Sequence, residues 1–161
     1  MYKYLFIVRH GRSPGSHNGI YDIDRTLDGQ GIIDSLVMSM RISNNGNLPD
    51  KILSSPAIRA FHSASIFART FKYLINDITI NDEIYLADKN IMLNIIKQTD
   101  NNVQNLMIFG HNPTFTDLAN HFLKDKINNM PPSGIVGLKF KVESWSKIDR
   151  MKVVESSFDH P

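Results

Sequence analysis

The chain reads as an α/β domain with a mainly parallel central sheet, helices on both faces and an antiparallel edge. Three observations predict this. The apolar runs Leu5-Phe6-Ile7-Val8 and Leu106-Met107-Ile108-Phe109 have the length and composition of strands buried on both faces. Segments with helical apolar spacing separate the strands, and the connections are short, as in crossover units of a parallel sheet. Late in the chain, Gly134 to Val142 alternates as a strand does, and Arg150 to Glu155 is expected to pair beside it as an edge hairpin.

The remaining elements follow in order. Leu27 to Ile42 carries Ile32, Ile33, Leu36, Val37 and Met40 at helical spacing, and Asn44-Asn45-Gly46-Asn47 stops it. Lys51 to Ser54 is a short strand. Ser55 has the character of an N-cap with Pro56 at the first helical position, opening an apolar helix that extends to about Leu74. Ile78 to Ile80 is a brief extended piece, Ile91 to Ile96 the apolar part of a third helix, and Pro113 opens a fourth that ends near Leu123. With 161 residues, 42% of them hydrophobic, the material suits one domain spanning 1–161.

Composition excludes several function classes. A formal charge of +2 with acids and bases interspersed argues for neither a nucleic-acid nor a membrane partner. No stretch approaches the roughly 18 apolar residues of a membrane span, and the first strand starts without a leader-like segment, so the expected location is the cytoplasm. The absence of cysteine removes disulfides, thiolate zinc sites and a cysteine nucleophile. His17, His62, His121 and His160 read as surface or satisfied helix histidines without metal-ligand context, and no cofactor is expected.

Function concentrates where strands end. The first strand runs into Arg9-His10-Gly11, the second into Ser54 to Arg59, and the strand ending at Phe109 into Gly110-His111-Asn112-Pro113. Parallel strands send these ends to one rim, where ligands of open α/β sheets bind, so two arginines and two histidines are expected to meet. Taken singly, Arg59 also reads as a helix-surface arginine and His111 as a loop or capping histidine. Ser54 and Ser55 read as turn and cap residues, because no Gly-x-Ser-x-Gly elbow surrounds them.

With Arg9-His10-Gly11, Ser54-Ser55-Pro56-Ala57-Ile58-Arg59-Ala60 and Gly110-His111-Asn112-Pro113 in that order, the sequence resembles the histidine phosphatase (phosphoglycerate mutase-like) superfamily. Asp24-Arg25-Thr26-Leu27 with Gly31, and Pro132-Ser133-Gly134, are weaker matches, and the length is similar to that of the short SixA-type phosphohistidine phosphatases. The resemblance implies a phosphoglycerate mutase-like fold, a transient phosphohistidine on His10, and a phosphate pocket formed by Arg9, His10, Arg59 and His111. It also implies substrate contacts at Ser13 and Asn18. Larger relatives place a general acid after the third strand. Here Glu83 is the candidate, with Asp82 and Asp88 beside it, each also readable as a solvated loop carboxylate.

The residue chemistry agrees. Phosphoryl transfer spreads negative charge over the equatorial oxygens and needs positioned cations, which the two guanidiniums supply. An imidazole attacks through a neutral nitrogen if its other nitrogen is fixed, most simply by a backbone carbonyl. A protonated His111 would donate to the phosphate. The expected substrate is a phosphorylated histidine-containing protein or a small phosphate ester. A non-catalytic phosphate-binding module is the rival from another class, and it has no need of a nucleophilic imidazole.

Overall fold

The computed structural model describes residues 1–15 and 19–161. Ten elements follow one another: β1 (Lys3–Arg9), α1 (Gly29–Asn45), β2 (Lys51–Ser54), α2 (Ile58–Phe71), β3 (Thr79–Ile80), α3 (Lys89–Lys97), β4 (Asn105–Gly110), α4 (Thr114–Phe122), β5 (Ile135–Phe140) and β6 (Val153–Asp159). The six strands form one sheet in the order β3-β2-β4-β1-β5-β6. The first four are parallel, while β5 runs antiparallel to β1 and β6 antiparallel to β5. No helix among the described residues is long and apolar enough to cross a membrane.

Alternating burial explains the layers. Leu5 and Ile7 with Leu106 and Ile108 face one side, where Met92, Ile96, Phe115, Leu118 and Trp145 cover them. Phe6 and Val8 with Ile52, Met107 and Phe109 face the other, under Met38, Ala64, Phe67 and Ala68. Strands buried on both faces need apolar residues at every position, which is why β1 and β4 read as continuous runs. The register sets the site, because Arg9 lies opposite Gly110 and Ser54 opposite Phe109. Three strand ends are thus level on one rim.

Several boundaries differ from the sequence expectation. Arg150–Lys152 is a 3-10 turn, so the edge strand begins at Val153 and continues to Asp159. Helix α2 begins at Ile58, two residues beyond Pro56, with Ala57 at its cap. The largest difference is in α1. Ile32, Ile33, Leu36, Val37 and Met40 are 38–56% exposed, and the face turned inward carries Gly31, Ser35, Met38 and Ser39.

Close packing is the physical reason for that inversion. Helix α1 lies against α2, where the Ser39 and Thr70 hydroxyls meet at 2.7 Å, and its first turn lies against the backbone that follows His10. A β-carbon on Gly31 would stand 2.2 Å from the Arg12 carbonyl oxygen, and one on Gly11 2.7 Å from that of Gly31. Gly11 is therefore required by the helix behind it, and not only by the turn or an approaching ligand. At that contact, around Gly31 and Ser35, only small residues fit.

The far end of β1 is pinned by Lys3, whose side chain is fully buried. Its ammonium donates to the carbonyls of Asn101 and, at 2.8 Å, Val103, and Trp145 adds a 2.9 Å bond from its indole N–H to the same Val103 oxygen. Burial lowers the Lys3 pKa from its ordinary value. Removing the ammonium strands the Asn101 carbonyl and empties the space beside Trp145. Lys3→Ala should therefore destabilise the fold by about 2–4 kcal/mol, read as a lower urea midpoint with an unchanged denaturant slope.

Candidate active site

Arg9, His10, Arg59 and His111 line one cleft of about 400 Å³ at the level strand ends, with Arg12, Ser13, Asp22, Arg25 and Tyr85 around them. Helix α2 carries Arg59 back over the rim from the end of β2. The loop after β4 carries His111, and α4 is stabilised there by Asn112, whose side-chain oxygen accepts from the Thr116 N–H at 3.1 Å. That residue, more than Pro113, satisfies the start of the helix.

Hydrogen bonding assigns the tautomers. His10 Nδ1 lies 2.7 Å from the Gly11 carbonyl oxygen, which only accepts, so Nδ1 carries the proton and Nε2 presents a lone pair. Arg59 Nε donates to that lone pair at 3.3 Å. Arg59 also approaches His111 Nδ1, at 3.4 Å from Nη2; a guanidinium only donates, so Nδ1 accepts and the Nε2–H donates to the Ser55 hydroxyl at 2.7 Å. The two imidazoles lie 5.1 Å apart between ring centroids. Ser55 accepts from the Ala57 N–H at 3.3 Å, as a residue at the helix opening does, and its hydroxyl also orients His111.

Charge in the cleft is uneven. Arg59 is nearly fully buried, and Asp22 satisfies it twice, through its carbonyl oxygen at 2.6 Å and its carboxylate at 3.0 Å. The same carboxylate accepts from the Tyr85 hydroxyl at 2.6 Å and from Arg25 at 2.9 Å. The Tyr85 bond first, and then Arg59, hold the Asp22 carboxyl at about 2. Burial pushes His10 down to about 3 against the opposing pull of the Gly11 bond, and burial followed by the Arg59 charge pushes His111 to about 4. Arg9 donates from Nη1 to the Met130 carbonyl at 2.7 Å, but its buried Nε has no partner among the described residues. A buried cationic donor left unpaired is unusual.

The other sequence candidates separate. The Ser13 hydroxyl donates to the Thr26 carbonyl at 2.6 Å, so it ties the loop together while the residue lines the cleft. Asn18 lies outside the described residues. Glu83 is exposed on the 3-10 turn Asp82–Ile84 and does not line the cleft, and Asp88 caps α3 through the Ile91 N–H. Among the described lining residues, Asp22 supplies the carboxylate. Neither Asp22 nor Tyr85 stood out in the sequence. Asp22 looks like any polar loop acid, and Tyr85 follows the expected acid region by two residues, where position is the only available signal.

Neutral imidazoles make stability depend on pH. Both histidines have folded-state pKa values below the ordinary 6.5, so the unfolded chain takes up protons first and stability falls as pH drops below about 6.5 toward the folded values. Asp22 contributes nothing in this window, since its depressed pKa matters only below the ordinary carboxyl value. Unfolding free energy should fall by on the order of 2–4 kcal/mol between pH 7 and pH 5, and a His10→Asn, His111→Asn double variant should lose most of that dependence in urea titrations at both pH values.

No protein-family model and no curated relative matches the sequence. Solved structures do match. The SixA protein of Agrobacterium tumefaciens, provisionally described as a phosphohistidine phosphatase, is 26% identical with a TM-score of 0.81, covering 99% of this chain and 98% of that one. The similarly described SixA of Nakamurella multipartitia is 15% identical with a TM-score of 0.85, covering 100% and 97%. A protein histidine phosphatase SixA complexed with tungstate is 17% identical with a TM-score of 0.75, covering 97% and 94%. Sharing this architecture over essentially its whole length, the chain has the fold of these short SixA proteins.

Proposed function

We propose that the chain is a cofactor-independent phosphatase that removes the phosphoryl group from phosphohistidine on proteins, passing it first to His10 and then to water. The observation that carries this reading is the single cleft in which the Nε2 lone pair of His10 faces the Arg59 Nε, with Arg9 and His111 among the lining residues. The names of the SixA-like structures, one of them with a bound oxyanion, support the same chemistry.

In the resting cleft, Arg59 masks the nucleophile by donating to it. An entering phosphoryl group offers that N–H a stronger, charged acceptor and frees the lone pair for attack. The His10 Nε2–phosphorus bond forms as the bond from phosphorus to the substrate imidazole breaks, and the leaving imidazole departs carrying a proton on its other nitrogen. Water then attacks phosphorus, His10 leaves with its lone pair restored, and phosphate departs. Arg9 and Arg59 stabilise the charge on the equatorial oxygens in both steps. Burial and then the Arg59 charge lower the His111 pKa to about 4 in the resting cleft; a bound phosphoryl dianion raises it and favours the imidazolium, which then donates to the oxygens.

Substrate class follows from proton supply. Alkoxide leaving groups need an acid during the step, whereas the imidazole of phosphohistidine is protonated beforehand. The carboxylate in the cleft is ionised at neutral pH, and Glu83 stands off the cleft. The rim is also open, with no helical cover in the short chain between Arg59 and His111 to enclose a sugar phosphate.

His10→Ala should abolish turnover while leaving the fold intact. In rapid-quench trapping with labelled substrate, acid-labile phosphate should appear on the unsubstituted protein and not on the variant; label retained by the variant would remove His10 as nucleophile. A second measurement compares substrates. Phosphohistidine protein should be turned over with kcat/KM at least about tenfold above phosphoglycerates or sugar phosphates, a preference of about 1.4 kcal/mol. Efficient hydrolysis of a small alkyl phosphate with phosphohistidine protein left intact would instead establish a small-molecule phosphomonoester phosphatase.

A further inference from the structure

Leu86 and Tyr21 are, after Met151, the most exposed large apolar side chains among the described residues, at 84% and 78%. Single exposed apolar residues are ordinary, but each of these lies at or next to a residue of the cleft. Leu86 borders the mouth of the cleft, and Tyr21 directly precedes Asp22, which lines it. The 2.6 Å bond from the Tyr85 hydroxyl to the Asp22 carboxylate joins the two segments across the mouth. Ile20, 53% exposed, extends the apolar surface on the Tyr21 side.

The backbone beneath both side chains is tied down. Asp22 is held by Arg59 at 2.6 and 3.0 Å, and the Tyr21 carbonyl accepts from the Asp24 N–H at 3.0 Å. On the other side, the Ala87 carbonyl accepts from the Thr114 hydroxyl at 2.7 Å, anchoring the segment after Leu86 to the start of α4. Apolar groups on anchored backbone lose little backbone freedom when a partner covers them, and covering them removes apolar area from water.

Resting on the phosphohistidine reading above, we propose that Leu86 and Tyr21, with Ile20, form a docking rim for the protein that carries the phosphohistidine, and that this rim recognises apolar residues flanking the modified side chain on a folded surface. The rim adjoins the cleft, so a phosphohistidine seated against Arg9 and Arg59 brings its own neighbours onto Leu86 and Tyr21. A free phosphorylated amino acid has no such neighbours. The rim therefore separates protein substrates from small ones through binding, without touching the reacting atoms.

The test compares two probes: a folded phosphocarrier protein phosphorylated on histidine with phosphoramidate, and free N-phosphohistidine. In the Leu86→Ser, Tyr21→Ser double variant, kcat/KM for the protein should fall about tenfold through KM, with free phosphohistidine changed by no more than about twofold, and Leu86→Met alone should behave as the unsubstituted enzyme. Equal losses on both probes would show that the rim acts through the cleft, and an unchanged value on the protein would show that it contacts nothing; either overturns the docking rim. If the unsubstituted enzyme turns over neither probe, the phosphohistidine reading itself fails and the docking rim fails with it. Turnover of both probes with an indifferent double variant defeats the rim alone.

Discussion

A buried guanidinium at the centre of the cleft is the constraint on which the other features of the site depend. Arg59 is removed from water, and a charge so placed needs acceptors in several directions. Four groups meet that need: the carbonyl and carboxylate oxygens of Asp22 and one ring nitrogen from each histidine. Because a guanidinium only donates, its neighbours must accept, which selects the tautomers of both imidazoles. The Nε2 lone pair of His10 is thus held facing the Arg59 guanidinium in the cleft. The two long contacts to the rings, 3.3 and 3.4 Å, are weak enough to be exchanged for oxyanion contacts.

Holding these groups in place falls to secondary contacts. Gly11 accepts from His10 through its carbonyl and donates its own N–H to Ser63 on α2, so the turn that carries His10 is linked to the helix that carries Arg59. Ser55 fixes the second imidazole, and Tyr85 and Arg25 fix Asp22. The close approach of α1 to the turn after His10, possible only with Gly11 and Gly31, blocks displacement from behind. For the proposed phosphoryl transfer, preorganisation of this kind would leave little rearrangement for the reaction step.

The electrostatic consequence is a cleft that lacks a ready proton but has strong cationic character. Asp22 is occupied in anchoring Arg59, and its three donors keep it ionised. That anchoring role and the role of a general acid are in conflict, since a carboxylate that satisfies a buried cation cannot easily hold a proton. A leaving group that brings its own proton suits such a site. The open rim, with apolar side chains standing on anchored segments, suits a substrate larger than the cleft.

How much of this was legible beforehand depends on the range of the interaction. Periodicity and turn chemistry are local, and from them the α/β class, the elements near their observed positions, and the loops bearing Arg9-His10, Arg59 and His111 could all be read. Parallel topology then implied that these loops share a rim, although only the Arg9 to Gly110 register made them level. Helix α1 was misleading because apolar spacing reports amphipathicity without saying which face a neighbour requires, and close backbone packing chose the side with Gly31 and Ser35. Asp22 and Tyr85 carried no local signal at all, since their significance lies in a bond between residues 63 positions apart. The sequence by itself determined the chemistry available, two neutralisable imidazoles and two permanent cations at strand ends. Tertiary structure alone decided which nitrogen carries each proton and which carboxylate faces the cleft, because those follow from burial and from partners distant along the chain.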